Sequence, residues 1–292
     1  MKVFKIGADP EFTLTDEYGN HCRAVSVVGG QNDRRNFGVD GSGGPVEIRP
    51  KAEYEPIDLI NNIYKCFKLG LERYPGTRDL NWRAGPNHGY STGGHIHIGI
   101  GELNQALNTE VLMTNLDTLL LIPYVMCEDR FGLYKRWKDG YGKVRDLRTQ
   151  PHGYEWRPLP SWLSSPKLAE VALSIFKAVV NDVASGVGAM SGYPAALESY
   201  NIRNFDLMRN WCVSKVFSRW TNLELYGRYR DSFEWLAGMI DGNKRFHNEF
   251  PGDIKQEWNL LGPAKKIRRI DPVKCIKSHR IVIANDEVNE NV

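Results

Sequence analysis

Short segments in the N-terminal half of the chain alternate between apolar and polar residues. In the clearest of them, residues 93–99, Ile96 and Ile98 would point to one side of a strand while His95 and His97 point to the other. This alternation predicts a strand that buries its isoleucines and presents two imidazoles on the opposite face.

Three other segments carry two chemically active side chains separated by a single residue, and their flanking residues are mostly apolar. A separation of two places both side chains on one face of a strand. The solvent-exposed face of an ordinary half-buried sheet usually carries Thr, Ser, Lys and Glu. The patterns His-x-His and Asp-Pro-Glu are not explained by solvent exposure alone. We therefore predict that all four segments share one face of one antiparallel sheet. The three further pairs are Asp9 with Glu11, Glu47 with Arg49, and Glu155 with Arg157.

Helical periodicity dominates the rest of the chain. Apolar residues recur at helical spacing after Pro56 and predict a helix that stops before Pro75. A long helical region is predicted from about residue 104 to residue 130, with a break or kink near Pro123. Ser165 before a proline predicts a capped helix start, and helical patterning continues through most of the C-terminal third.

These elements predict an α+β fold, in which helices back an antiparallel sheet and the C-terminal part is mostly helical. Short strands are predicted at residues 3–6 and 24–28, before the polar pairs of the later segments. We divide the chain into a sheet-containing core, residues 1–165, and a mostly helical part, residues 166–292, packed on the same domain.

Composition and charge restrict the classes of protein. The chain has 292 residues, 41% of them hydrophobic and 25% charged, which is typical of soluble globular proteins. The net charge of +3 is too small to imply nucleic-acid binding by itself. The most apolar stretch, residues 111–127, is too short and too polar to span a bilayer.

The five cysteines indicate a reducing compartment. They lie far apart, and no Cys-x-x-Cys occurs, which favours buried thiols over a disulfide framework or a zinc site. The acidic residue Asp9 also lies too close to the N-terminus for the uninterrupted apolar segment of a signal peptide. We therefore expect a cytoplasmic protein, in the host cytoplasm if a phage encodes it. The cysteines are Cys22, Cys66, Cys127, Cys212 and Cys275.

The polar pairs favour a hard divalent cation. Carboxylates such as Glu11, Glu47 and Glu155, with one imidazole, suit Mg²⁺ or Mn²⁺. Zinc would more naturally take three ligands of the His or Cys type, and no third histidine stands close to His95 and His97 in the sequence. His88, His152 and His247 are expected to be local surface or loop residues.

Five motifs occur in an order that characterises one protein family. They are Gly-x-Asp-Pro-Glu-Phe, Val-Glu-Ile-Arg-Pro, Gly-Gly-His-Ile-His-Ile-Gly, a basic Tyr-Gly-Lys segment and Gly-Tyr-Glu-Trp-Arg. With them the chain resembles the phage and bacterial carboxylate–amine ligases, or type 2 amidoligases, which have a glutamine synthetase-like catalytic core. The resemblance covers roughly residues 1–165, and the helical C-terminal part carries no matching motif.

The resemblance implies a fold and an activity. The fold would be a glutamine synthetase-like antiparallel sheet with a concave active-site face. The activity would be that of an ATP-dependent ligase, using Mg²⁺ or Mn²⁺, which converts a carboxylate into an acyl phosphate that an amine then attacks. The substrates stay open: small molecules or peptides, with a modified nucleobase or a protein as alternative acceptors. The oligomeric state also stays open.

The resemblance further implies roles for individual residues, although Asp-Pro-Glu differs from the Glu-x-Glu of many members. The expected metal ligands are Asp9, Glu11, Glu47, His95 and Glu155. The residues expected to contact the nucleotide are His95, His97, Arg136, Lys143, Arg145 and Arg157. The expected catalytic residues are Glu47, Arg148 and Arg157.

Two other classes of function remain open at this point. A metal-dependent hydrolase of amides or phosphates would also use carboxylates and histidines to activate water. The chain lacks the usual histidine-rich hydrolase patterns, and its surplus of arginines favours polyphosphate. A non-enzymatic structural or nucleic-acid-associated phage protein would fit the mild basicity but would leave the four polar pairs unexplained.

Overall fold

The structure, a computed structural model, describes residues 3–30, 36–85, 90–101, 107–262, 266–267 and 283–284. It has an α+β fold with antiparallel sheets. The strands are β1 (Ile6–Ala8), β2 (Glu11–Thr15), β3 (His21–Cys22), β4 (Phe37–Val39), β5 (Val46–Ile48), β6 (Asn81–Arg83), β7 (Ile96–Gly99), β8 (Leu147–Gln150), β9 (Gly153–Trp156), β10 (Lys266–Ile267) and β11 (Ile283–Ala284). The helices are α1 (Pro56–Arg73), α2 (Thr109–Leu116), α3 (Ile122–Val125), α4 (Arg130–Lys138), α5 (Pro166–Ala184), α6 (Tyr193–Asn201), α7 (Phe205–Trp211), α8 (Phe217–Thr221), α9 (Arg230–Asp241), α10 (Phe246–Glu249) and α11 (Ile254–Glu257).

Two antiparallel sheets carry the predicted polar pairs. Sheet A has the strand order β1-β7-β9-β8, and sheet B has the order β3-β2-β5-β4 with β6 also paired to β2. In sheet A, His97 lies opposite Glu155, and in sheet B, Glu11 lies opposite Glu47. Strands β10 and β11 pair with each other in a separate two-stranded sheet.

The prediction that all four pairs share one sheet is wrong, and Pro10 supplies the physical reason. A proline has no N–H to donate to a ladder, so the strand pairing is interrupted between β1 and β2. On either side, Asp9 N–H bonds the carbonyl of His95 at 3.4 Å and Glu11 N–H bonds the carbonyl of Gly93 at 2.9 Å. The chain therefore passes from sheet A to sheet B through two residues.

Two predicted strands are displaced. The first strand begins at Ile6 rather than at residue 3, and the carbonyl of Phe4 accepts a hydrogen bond from the side chain of Lys177 at 2.7 Å. Residues 24–26 form a 3₁₀ turn instead of a strand, because Val27 and Val28 both donate to the carbonyl of Ala24, at 3.0 and 2.8 Å. Such short apolar runs are ambiguous between strand and turn.

Helix α1 confirms the first predicted helix and covers sheet B. Phe12 of β2 stacks on Trp82 of β6 with ring centroids 4.9 Å apart, and Phe67 of α1 meets both rings. The four aromatic side chains of this cluster, which include Phe37, are buried. Aromatic packing of this kind fixes the sheet against the helix.

The helical segment from α2 to α3 contains a wide π-helical turn, Asp117–Leu121, just before Pro123. In a regular α-helix the N–H of residue 123 would bond the carbonyl of Leu119, and proline has no N–H. The indole N–H of Trp220 donates to that carbonyl at 2.9 Å. The predicted break at Pro123 thus takes the form of a widened turn.

Helix α5 begins as predicted, because the hydroxyl of Ser165 accepts a hydrogen bond from the N–H of Leu168 at 3.1 Å. All of its residues except Lys167 and Glu170 are buried. Phe176 packs on Trp156 of sheet A with ring centroids 5.9 Å apart. The helix is enclosed between sheet A and the helices α1, α2 and α9.

The cysteines and the membrane prediction can be compared with the described residues. Cys22, Cys66, Cys127 and Cys212 are free thiols, whereas Cys275 lies outside the described residues. Within the described ranges, no helix combines the length and the apolar character that crossing a membrane requires.

Candidate active site

A cavity of about 620 Å³ lies where the polar faces of the two sheets meet. Although the pairs belong to two sheets, one residue or more from each of them reaches this cavity. The predicted residues that line it are Asp9, Glu11, Glu47, Arg49, His95, Arg148, Glu155 and Arg157.

The first cluster of candidate ligands comprises Asp9, His95 and Glu155. His95 Nδ1 lies 3.3 Å from Asp9 Oδ1 and 3.5 Å from Glu155 Oε1. All three residues offer a ligand atom within 4.8 Å of the others. Asp9 Oδ1 is buried and lies between the imidazoles of His95 and His97, at 3.3 and 3.0 Å. A buried carboxylate oxygen of this kind has lost water and gains most from a cation.

The Gly93-Gly94 motif serves His95. A Cβ on Gly93 would collide with the imidazole ring of His95, so that only glycine allows this ring position. The N–H of Gly93 also donates to Glu11 Oε2 at 2.7 Å, which orients a second acid. The glycine therefore positions side chains from both sheets.

The second cluster comprises Glu11, Asp40 and Glu47, again with ligand atoms within 4.8 Å of one another. Burial raises the pKa of Glu11 to about 7. Burial, followed by the charge of Asp9, raises the pKa of Glu47 to about 8. Both carboxyl groups therefore hold a proton more readily than usual, and a divalent cation would displace it.

Asp40 is the ligand candidate that the sequence analysis missed. It lies in the glycine-rich loop after β4, outside any strand, and so it belongs to none of the alternating pairs. Its Oδ2 accepts a hydrogen bond from the N–H of Ser42 at 3.0 Å. The available signal in the sequence was an aspartate within a run of glycines. This run precedes β5, the strand that carries Glu47.

The donor sets of both clusters fit hard divalent cations. Each offers carboxylate oxygens, and the first adds one imidazole, which is the ligand chemistry of Mg²⁺ and Mn²⁺. These donor sets differ from those of zinc centres, which use three ligands of the His or Cys type.

Arginines border the acids. Arg157 Nε lies 3.0 Å from Glu155 Oε1, and its Nη1 lies 3.6 Å from Asp146. Arg148 Nη1 is 3.5 Å from Glu155 Oε2, and its side chain is half exposed. Arg49 Nη2 is 2.8 Å from Glu47 Oε2. The cavity thus combines acids that could hold cations with guanidinium groups that could meet phosphate.

His97 does not line the cavity, in contrast to its predicted contact with the nucleotide. Its Nε2 lies 3.0 Å from Asp9 Oδ1, and its Nδ1 lies 2.9 Å from His152 Nε2. Burial raises the pKa of Asp9, but the two neighbouring imidazoles outweigh burial and hold that pKa well below its usual range. His152, predicted to be a local surface or loop residue, therefore contacts His97 at the edge of the site. His88 lies outside the described residues.

Arg136 is also placed away from the cavity. It is buried, and its guanidinium donates to the carbonyl of Thr92 at 2.6 Å and to the carbonyl of Leu159 at 3.0 Å. Two of its donor groups are thus engaged by backbone carbonyls of two separate segments, one before Gly93 and one after β9. These hydrogen bonds connect the two segments, and Arg136 does not line the main cavity.

Lys143 and Arg145 line a second cavity, of about 390 Å³, that adjoins the first. His95, Tyr141 and Arg157 line it as well, and they also line the main cavity. The side chain of Arg145 pairs with Glu110 and donates to Thr114 Oγ1 at 3.3 Å. Of the four predicted basic residues between 136 and 148, only Arg148 reaches the main cavity.

The helical part supports the loop that separates these cavities. Tyr200 of α6 donates its hydroxyl proton to the carbonyl of Gly142 at 2.6 Å and accepts a hydrogen bond from Trp137 Nε1 at 2.9 Å. Tyr200 is buried. The sequence analysis found no role for this part of the chain.

A protein-family model described as phage phiEco32-like COOH.NH2 ligase-type 2 matches residues 6–260. The matched range contains sheets A and B and extends through α11, so it includes residues 166–260 of the helical part, in which no motif was found. A search of the curated proteins finds no match.

Proposed function

Because the chain belongs to the family of phage phiEco32-like carboxylate–amine ligases of type 2, we propose that it forms an amide bond with the consumption of ATP. The observation that carries the ATP dependence is the main cavity, where two acid clusters face Arg148 and Arg157. Phosphoryl transfer needs this combination, because several negative charges must come together.

The first proposed step activates the carboxylate. An oxygen of the substrate carboxylate attacks the γ-phosphorus of ATP, the bond from that phosphorus to the β-γ bridging oxygen breaks, and ADP leaves. The product is an acyl phosphate. Arg157 and Arg148 are placed beside Glu155 to meet the phosphoryl oxygens. Fixed guanidinium groups stabilise charge that develops in the transition state.

The second proposed step forms the amide. The amine nitrogen attacks the acyl carbon, inorganic phosphate leaves with its bonding electrons, and the nitrogen gives up one proton. We assign Glu47 to take this proton because its carboxyl group lines the cavity. A general base must reach the proton that it takes in the bound complex.

Divalent cations would be held by the two acid clusters. Asp9, His95 and Glu155 would hold one, and the cluster of Glu11, Asp40 and Glu47 would hold another. When bound, Mg²⁺ or Mn²⁺ neutralises phosphate oxygens that would otherwise repel the incoming carboxylate. The grouping of ligand atoms within 4.8 Å of one another in each cluster supports this assignment.

The test is isotopic and separates the proposed ligase from a hydrolase. Purified protein with ATP and Mg²⁺ is screened for ADP release over pools of carboxylic acids and amines. The acid so identified is then labelled with ¹⁸O in its carboxylate. An acyl phosphate requires that one ¹⁸O atom appears in the released phosphate, and hydroxylamine should trap the intermediate as a hydroxamate.

Matched variants assign the reaction to the cavity. Glu155→Gln should abolish acid-dependent ADP release, and Glu72→Gln, an exposed change on α1, should leave it unchanged. ADP release that does not depend on an acid, or phosphate without ¹⁸O, would contradict the acyl-phosphate mechanism. Hydrolysis of an amide without ATP would favour the metal-dependent hydrolase.

A further inference from the structure

Asp117 is a buried aspartate that lines neither the main cavity nor the second cavity beside it. It is the first residue of the widened turn between α2 and α3. Its Oδ2 accepts a hydrogen bond from the backbone N–H of Arg145 at 2.6 Å, and its Oδ1 accepts one from the indole N–H of Trp156 at 3.1 Å. A single carboxyl group therefore joins the loop that precedes β8 to the end of β9.

The backbone of Arg145 needs such support. Its φ is 63°, which lies in the left-handed region that residues other than glycine rarely adopt. A strained residue of this kind persists only where its surroundings hold it in place. The N–H of Arg145 donates to Asp117, and its carbonyl accepts a hydrogen bond from the N–H of Leu147 at 3.0 Å. Asp117 thus helps to fix the conformation of the chain at the point where it enters β8.

Arg157 lies between the two segments that Asp117 holds. It directly follows Trp156 in the chain, and its backbone N–H donates to the carbonyl of Asp146 at 3.0 Å. Its Nη1 lies 3.6 Å from Asp146 Oδ2. Asp146 in turn directly follows Arg145. A shift of the Arg145 backbone would therefore move the residue that Arg157 contacts through both its backbone and its side chain.

We propose that Asp117 is a positioning residue, which directs the guanidinium of Arg157 into the main cavity by holding the loop before β8 and the end of β9 together. This role rests on the proposed function, in which Arg157 meets the phosphoryl oxygens. Asp117 would act through Arg157 and not on the substrate, because it lies outside both cavities. A misplacement of about 1 Å in a reacting site can lower a rate by about 10²-fold, so such support matters for catalysis.

The first measurement needs no ligand. Asp117→Asn keeps the shape of the side chain but turns one of its two acceptors into a donor that faces an N–H group. Burial raises the pKa of Asp117 to about 7, so the measurement is made at about pH 8.5, where the carboxyl group is ionised. Hydrogen exchange in residues 140–147, followed by mass spectrometry, should become roughly tenfold or more faster in this variant.

Asp253→Asn is the matched control. Asp253 is also buried and accepts two backbone N–H bonds, from Trp82 and Lys255, both at 2.6 Å, and it lines neither cavity. This variant should lose stability in urea unfolding, as Asp117→Asn does, yet leave hydrogen exchange in residues 140–147 unchanged. Unchanged exchange in Asp117→Asn, or the same increase in both variants, would overturn the proposal.

The second measurement asks whether Asp117 acts through Arg157. Single-turnover ADP formation with the acid found in the screen should be roughly tenfold slower in Asp117→Asn, with little change in ATP affinity. In the Arg157→Lys background the same substitution should slow the reaction less than about twofold, because the guanidinium that it misdirects is already gone. An equal slowing in both backgrounds would overturn the proposal.

The role of Asp117 and the proposed function can fail separately. No ADP release by the parent would contradict the proposed function, whereas normal release with unchanged hydrogen exchange in Asp117→Asn would contradict only the role of Asp117. If Asp117→Asn does not fold, Trp156→Phe replaces it, because this change removes the indole donor to the same carboxyl group. Faster exchange in residues 140–147 is then expected from Trp156→Phe, and its absence would overturn the proposal.

Discussion

The acids of the main cavity differ in their affinity for protons. Two imidazoles beside Asp9 hold its pKa below the usual range, whereas burial raises the pKa of Glu11 to about 7 and that of Glu47 to about 8. At neutral pH the first cluster therefore presents an ionised acid. Binding of a cation to the second cluster must release protons.

Arg157 provides a prediction about chemistry. Arg157→Lys should keep the positive charge and largely keep ATP binding, yet lower the rate of phosphoryl transfer by about 10² or more, because lysine lacks the planar fork of donors. Single-turnover ADP formation and melting temperature are measured on the same preparation. The exposed change Arg73→Lys is the control. A lower melting temperature with unchanged chemistry would show that the contact of Arg157 with Glu155 is only structural.

Asp40 provides a prediction about metal binding. Asp40→Asn should weaken Mn²⁺ binding by roughly tenfold or more, because the variant removes a charged oxygen from the second cluster. Electron paramagnetic resonance of free Mn²⁺ gives the affinity without any turnover. Asp241→Asn, at the exposed end of α9, should bind Mn²⁺ as the parent does. Identical affinities for the parent and Asp40→Asn would remove Asp40 from the ligand set.

At the scale of single elements, the loops and turns around the site are held by side chains from distant helices. Trp220 donates to the carbonyl of Leu119 in the widened turn, and Tyr200 donates to the carbonyl of Gly142 in the loop between the two cavities. Both donors come from the part of the chain that lacks recognisable motifs. Its helices therefore act on the site through the backbone.

Trp220→Phe should destabilise the fold by about 1–3 kcal/mol, because it leaves the buried carbonyl of Leu119 without this donor. The midpoint of urea unfolding measures the loss. Trp235→Phe, at a half-buried position of α9, controls for the change from indole to phenyl. Equal losses in the two variants would mean that the hydrogen bond to the widened turn contributes nothing measurable.

Tyr200→Phe should lower stability by about 1 kcal/mol and weaken nucleotide binding, because the loop at Gly142 loses its hydrogen bond while the ring stays in place. Isothermal titration with ATP and Mg²⁺ measures the affinity. The half-buried Tyr193→Phe, at the start of the same helix, serves as the control. If Tyr200→Phe loses stability but binds nucleotide as the parent does, this loop does not take part in binding.

At the scale of the whole molecule, several buried acids make stability depend on pH. Glu128 has a pKa of about 8 in the fold against an ordinary value of 4.5. Between these values the folded state binds more protons than the unfolded state. The free energy of unfolding therefore falls as pH rises through this window, by up to about 1 kcal/mol per pH unit for one such group.

Glu128→Gln should remove this contribution. Its stability relative to the parent should increase from about pH 5 to about pH 8 and then level off, since above pH 8 the parent carboxyl group is ionised in both states. Urea unfolding in EDTA at several pH values tests this. Glu72→Gln should show no such trend, because Glu72 is exposed. A difference between Glu128→Gln and the parent that does not change with pH would contradict the assignment.

Spacing along the chain predicted which acids meet and which residues are buried beneath them. Asp9 and Glu11 are two positions apart, and both line the main cavity, as this spacing predicted. They do so even though the strand pairing is interrupted at Pro10, where the chain passes from sheet A to sheet B. The spacing of residues along the chain could not predict Asp40, because the position of a glycine-rich loop depends on tertiary packing. It also could not separate Arg136 from Arg148, since both lie in one basic segment and only burial distinguishes them.

The enclosure of α5 has a consequence for dissecting the protein. A fragment that ends at residue 165 would keep every recognised motif, yet it would lack the helix that covers sheet A. Trp156, which packs on Phe176, would then face water, and the carbonyl of Phe4 would lose Lys177 as its donor. We expect such a minimal catalytic fragment to be insoluble or inactive, and functional truncation to be tolerated only beyond α11.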